Sequence, residues 1–138
     1  MKKILFLIVL GSVLSCKQNI TDADISNLNG YWEIEKVELP DGDKKEYKVN
    51  ETIDFFKIEA NKGFRKKVMP QLDGTYLTND IQEDVVVVVK DGDALLQYKT
   101  KYASWKEEII ELTKDKLVVK NQQEIEYYYK RPAKFSVK

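Results

Sequence analysis

Cys16 is the only cysteine of the 138-residue chain, and no histidine accompanies it. Thiolate and imidazole chemistry therefore have one candidate residue between them. A structural zinc site needs several soft ligands and a disulfide needs two sulfurs, so both are excluded. General acid–base work would fall to Asp, Glu, Lys or Tyr alone. Glu107 and Glu108 are the obvious carboxylate pair, but neighbours on a strand point to opposite faces and cannot share one substrate. Asp41-Gly42-Asp43 and Asp91-Gly92-Asp93 offer oxygen ligands of the kind calcium takes, without the spacing of a calcium loop, and hairpin turns account for both. Arg65-Lys66-Lys67 reads as a solvated edge rather than a phosphate site. With 23 basic against 23 acidic residues, binding to nucleic acid through phosphate neutralisation is not expected. No enzyme, metal site or cofactor is expected from these residues.

Cys16 gains its meaning from what precedes it. Lys2 and Lys3 form a basic start, Ile4 to Leu10 is unbroken apolar, and Val13-Leu14-Ser15 leads to the cysteine. The apolar stretch is about half the roughly 20 residues that a membrane-spanning helix needs, so residues 1–15 read as a signal peptide. Val13-Leu14-Ser15-Cys16 resembles the lipobox of bacterial lipoproteins. The resemblance implies that Cys16 becomes the acylated first residue of the mature protein, tied to a membrane of the cell envelope. The outer membrane is the expected one, with the leaflet left open. Each buried acyl methylene contributes about 0.8 kcal/mol, so several chains hold a protein almost permanently.

Residues 16–29 are polar, and Thr21-Asp22-Ala23-Asp24 is a helix start. They read as a lipidated tether ending in one helical turn around Ile25 to Leu28. Residues 30–131 alternate between apolar or β-branched runs and turn chemistry at Asp41-Gly42, Asn61-Lys62-Gly63, Asp73-Gly74, Asp91-Gly92 and Lys114-Asp115-Lys116. This spacing predicts an all-β domain, a single antiparallel up-and-down β-barrel of about eight or nine strands, followed by a tail at 132–138. Alternation along the last strand sends Tyr127, Tyr129 and Arg131 inward and Tyr128 outward. In the first strand Trp32 and Ile34 share a face that Val37 and Leu39 would miss, so a β-bulge is expected near Glu35 and Lys36. Val85 to Val89 is apolar on both faces. It reads as a central strand covered by the tail or the N-terminal turn, or else as a partner-binding surface.

Gly30-Tyr31-Trp32 opening the first strand, with Arg131 closing the last, resembles the lipocalin superfamily. More closely, the chain resembles lipocalin-like lipoproteins of Bacteroidetes-type bacteria, a likeness carried also by Trp105-Lys106-Glu107-Glu108-Ile109, Leu117-Val118-Val119-Lys120-Asn121 and Tyr127-Tyr128-Tyr129-Lys130-Arg131. The resemblance implies that Gly30, Trp32 and Arg131 close one end of the barrel, with a guanidinium over an indole worth about 0.5 to 2 kcal/mol. It also implies a lumen. Phe55, Phe64, Tyr76, Tyr98, Trp105, Tyr127 and Tyr129 are the expected lining residues, and Lys66 either meets an anionic head group at the mouth or reaches out to water. A lumen of this kind either holds a small apolar or amphipathic ligand or is filled by its own side chains. In the second case the protein is a structural lipoprotein that docks an envelope partner, whose identity stays open.

Overall fold

A computed structural model describes residues 17–79 and 81–133; the expected signal segment at 1–15, the expected lipidation site Cys16, residue 80 and residues 134–138 lie outside the described residues. A short 3-10 helix, Asp22–Leu28, precedes ten strands: β1 Gly30–Glu38, β2 Lys44–Glu46, β3 Ile53–Glu59, β4 Lys62–Pro70, β5 Tyr76–Thr78, β6 Glu83–Lys90, β7 Asp93–Lys99, β8 Ser104–Leu112, β9 Lys116–Asn121 and β10 Glu126–Lys130. Eight of them pair in the order β1-β3-β4-β6-β7-β8-β9-β10, and β10 returns to β1, so the sheet closes into an antiparallel barrel. β2 pairs with β1 and β5 with β4, both off the barrel path. Closure leaves no long unpaired edge within the wall.

Alternation fixes what fills the barrel. Trp32, Phe56, Ile58, Val85, Val87, Leu96, Tyr98, Ile109, Leu117 and Val119 belong to one core of almost fully buried residues. Two bulges bend the wall. In β1 the register shifts between Ile34 and Lys36, which places Ile34 opposite Tyr129 and Val37 opposite Tyr127 on one face, as the apolar pattern requires. In β8 the register shifts between Ile109 and Glu111, and the Ile110 carbonyl accepts the Gln18 N–H at 3.0 Å.

The segment expected as a tether is instead a strap and plug. The Gln18 amide donates to the Leu112 carbonyl and accepts from the Leu112 N–H, and Ile20 N–H donates to the Gly92 carbonyl. Thr21 and Asp24 then start the 3-10 helix, with Asp24 Oδ2 accepting from the Thr21 N–H. Ile20, Ile25 and Leu28 are at most 3% exposed, filling the end where the β6–β7 and β8–β9 hairpins lie. Each side chain so buried contributes about 1.5 to 3 kcal/mol. The helix stops at Asn29, whose amide donates to the Ile58 carbonyl and accepts the Ile58 N–H.

The outer face of β6 is partly exposed among the described residues, and residues 134–138 of the tail expected to cover it lie outside them. Val85 and Val87 are buried, yet Val86 is 37% and Val88 41% exposed. The N-terminal turn lies inside the barrel end and does not cover them.

Candidate functional site

The closed end is sealed by Arg131. Its guanidinium carbon lies 3.6 Å from the centroid of the Trp32 ring. Its Nε donates to the Lys114 carbonyl, Nη1 to the Tyr31 carbonyl and Nη2 to the Asn27 carbonyl, at 2.7 to 3.0 Å. One side chain thus joins the β8–β9 hairpin, the start of β1 and the end of the 3-10 helix. The Trp32 indole N–H donates to the Leu28 carbonyl at 2.8 Å, fixing the ring that Arg131 covers. Gly30 has φ +109° and a Cβ there would sit 3.2 Å from Arg131 Nη1, so the sequence needs glycine at this position. Gly30, Trp32 and Arg131, the residues expected at the closed end, come together there.

The opposite end is polar and open. Arg65 of β4 points into the barrel opposite Phe56, contrary to its reading as part of a solvated edge. Its Nε and Nη2 each donate to Glu83 at 2.8 Å, its Nη1 lies 3.7 Å from Glu107, and its guanidinium carbon lies 4.2 Å above the Tyr98 ring. Burial, the largest influence, pulls its pKa down, but the hydrogen-bonded Glu83 carboxylate and the Asp54 carboxylate are among the groups that outweigh it and hold the cation charged. Asp54, 3% exposed, is ion-paired with Lys67.

Above this cluster opens a chamber of about 360 Å³ whose lining includes Trp105, Glu107, Tyr127 and Tyr129 from the walls and Gln122 and Gln123 from the β9–β10 hairpin. Tyr98 and Trp105 stack with centroids 5.4 Å apart. Tyr127 OH accepts from the Asn121 amide at 3.3 Å. Burial pushes the Glu107 carboxyl above its ordinary value, with Arg65 pulling the other way. Burial likewise holds Tyr98 and Tyr129 well above the usual phenol range, so both keep their protons as donors. Asp54 Oδ1, Tyr98 OH and Glu107 Oε1 are buried and make no close hydrogen bond among the described residues; Asp54 is ion-paired with Lys67 and Glu107 Oε1 faces Arg65 at 3.7 Å, while the Tyr98 hydroxyl and the Glu107 carboxyl influence each other's protonation. Such groups cost free energy unless something enters to pair with them.

The expected lining divides in two. Tyr98, Trp105, Tyr127 and Tyr129 face the interior. Phe55, Phe64 and Tyr76 do not, and neither does Lys66. Phe55 pairs with Tyr31 and with Lys66 on the outer face, and the Tyr31 ring stacks on Tyr76 at 4.0 Å and meets Phe55 at 4.8 Å. Lys66 Nζ lies 5.2 Å from the Phe64 ring centroid on the same outer wall. The physical reason is that a bidentate carboxylate from β6 receives Arg65 inside, while the β4–β5 hairpin shelters the aromatics outside. Asp54, Arg65, Glu83 and Glu107 were not among the expected site residues. The one signal for them was alternation itself, since Glu83 shares its face with Val85 and Val87.

The two Asp-Gly-Asp triplets are turns. Asp43 N–H donates to Asp41 Oδ1, and Asp91 and Gly92 both have positive φ, the conformation of a two-residue hairpin.

A closed eight-stranded barrel, one end riveted by an arginine over a tryptophan and the other opening on a polar chamber, defines a lipocalin-like architecture. The sequence model of the lipocalin-like domain family matches residues 28–119, and the chain belongs to that family. A lipocalin-like protein from Bacteroides uniformis ATCC 8492 is 12% identical and superposes with a TM-score of 0.50 over 77% of this chain and 99% of its own. An uncharacterized protein from Bacteroides eggerthii DSM 20697 is 14% identical, with a TM-score of 0.50 over 76% of this chain and 99% of its own. No curated protein matches the chain.

Proposed function

We propose that the protein is a lipid-anchored lipoprotein of the bacterial cell envelope, held by acyl chains on Cys16, whose barrel mouth binds a small amphipathic molecule. It is not an enzyme in this reading. The observation that carries the ligand half is the pair of buried groups Tyr98 OH and Glu107 Oε1, neither making a close hydrogen bond and Glu107 Oε1 facing only Arg65 at 3.7 Å, beside a chamber walled by Trp105, Tyr127 and Tyr129. A ligand whose polar head donates to Glu107 and accepts from the Tyr98 O–H, with a flat or apolar body against the aromatic rings, would satisfy both. The depth of the barrel favours a short ligand, because the half below the chamber is filled by Trp32, Leu28, Leu96 and Ile109, all at most 1% exposed.

That packed half also favours a second reading, a structural lipoprotein that docks a protein partner and carries nothing. Two measurements separate the cases. Flotation of the wild type with membranes and release of Cys16→Ser into the soluble fraction support the anchor; a Cys16→Ser chain still on membranes contradicts it. Trp105 emission changes on titration with a small-molecule extract of the native bacterium if the chamber binds, and the change disappears in Trp105→Phe. No change with the wild type favours the docking reading.

A further inference from the structure

The chain leaves the barrel at one fixed place on its wall. Lys17 pairs with both Asp93 and Glu108. Hydrogen bonds to these two carboxylates raise its pKa and keep it charged. Gln18 is held by three hydrogen bonds to Ile110 and Leu112 of β8, and Ile20 by one to Gly92. Lys17, the residue that follows Cys16 in the sequence, is therefore held against the wall.

That exit point adjoins the exposed valines. Val88 pairs with Leu95, and Leu95 with Glu108, so the carboxylate that holds Lys17 ends a cross-strand row begun by Val88. A shallow depression of about 370 Å³ runs along this row, lined by Val88, Leu95, Asp93 and Glu108 among others. Val86, paired with Gln97, extends the apolar strip by one row.

We propose that this outer wall of β6 and β7, centred on Val86, Val88 and Leu95, rests against the lipid surface to which Cys16 ties the chain. The inference depends on the acylation proposed above. The position of the pinned chain end selects the lipid as occupant: a group attached at Cys16 and buried in a bilayer brings that bilayer against whatever lies next to Lys17. Two exposed valines are too little apolar area to bind a membrane from solution. Beside an anchor they act at a very high effective concentration, and contact then needs only a small gain. Lys17 is paired with Asp93 and Glu108, and Lys90 and Asp91 line the same depression, so no marked preference for anionic lipid is expected. The mouth, with the β7–β8 and β9–β10 hairpins, lies at the other end of the strands from Gly92 and stays open to solvent.

The test uses the full acylated protein, reconstituted in vesicles of phosphatidylcholine and phosphatidylglycerol. An environment-sensitive fluorophore is attached in turn at Val88→Cys, at Val86→Cys and, as a control in the mouth hairpin, at Tyr102→Cys, where the native side chain is 89% exposed. The thiol of acylated Cys16 does not react with the label. Blue-shifted emission at positions 88 and 86, with stronger quenching by lipid-borne nitroxide there than at 102, is the expected result. Equal quenching at 88 and 102 in protein that floats with the vesicles overturns the docked wall and leaves the anchor standing. Protein that does not float overturns the anchor, and the docked wall with it. A label at 88 already shielded in soluble Cys16→Ser identifies a second copy of the chain as the occupant and overturns the lipid assignment.

Discussion

Arg131 lies over the ring of Trp32 at 3.6 Å while its three donor nitrogens bind carbonyls of three separate segments. The contact joins the beginning of the barrel to its end, where β1 and β10 complete the wall. Removing the side chain strands those carbonyls and uncovers the indole. Arg131→Ala should lose about 3 kcal/mol of stability, since hydrogen bonds from a charged donor contribute roughly 1.5 to 3 kcal/mol each and part of the loss is recovered by water. Arg131→Lys should restore only a fraction, because an ammonium cannot span the three acceptors as a planar fork does. Chemical denaturation of the Cys16→Ser chain measures both; a midpoint equal to that of the unsubstituted Arg131 chain would show that the contact carries no weight.

Gly30→Ala tests the same closure from the backbone side. A left-handed conformation at φ +109° and a Cβ 3.2 Å from Arg131 Nη1 should together cost about 1 to 3 kcal/mol. Thermal unfolding reads the loss. In the Arg131→Ala background the steric part should vanish and the strain should remain, so the two substitutions should be less than additive.

Arg65 is enclosed among acids, and its loss should be more damaging than that of any surface lysine. Arg65→Met leaves Glu83 and Glu107 close together with no cation between them, at a cost of about 3 to 5 kcal/mol. Adding Glu83→Gln and Glu107→Gln to Arg65→Met should recover most of it. A single Arg65→Met variant as stable as the parent would mean that the acids reorient to water.

Glu107 carries the pH dependence of this cluster. Burial raises its folded-state pKa above the ordinary value of 4.5, so the folded protein binds a proton that the unfolded chain has released. Stability therefore falls as pH rises from the unfolded pKa through the folded one, and the full penalty persists above it. Glu107→Gln should be more stable than the parent at neutral pH, with the advantage disappearing below about pH 4. Urea midpoints across that range decide it, and an advantage confined to acid would reverse the sign.

Much of the fold is legible in the residues because alternation and turn chemistry are local. The inward set Tyr127 and Tyr129, the bulge beyond Ile34 and the hairpin at Asp91-Gly92 follow from neighbours alone. The candidate site is less legible because its faces are chosen by distant partners. In β4, Phe64 and Arg65 compete for the interior, and hydrophobicity alone awards it to Phe64. Glu83, from another strand, reverses the choice by meeting the guanidinium at two points, and the β4–β5 hairpin shelters the displaced aromatics by stacking Tyr76 on Tyr31. β2 was missed for a different reason: Lys44, Lys45 and Glu46 are all exposed, so the strand leaves no alternation to read. The strap at Lys17 and Gln18 was also hidden, since its partners Glu108, Ile110 and Leu112 come from the other half of the chain.

Native mass spectrometry of the full-length protein extracted from its own bacterium tests most directly whether the mouth is a binding site. A bound small molecule that accompanies the wild type and is lost from a folded Glu107→Leu variant is the expected outcome. A wild-type chain whose mouth is empty in every preparation would contradict it.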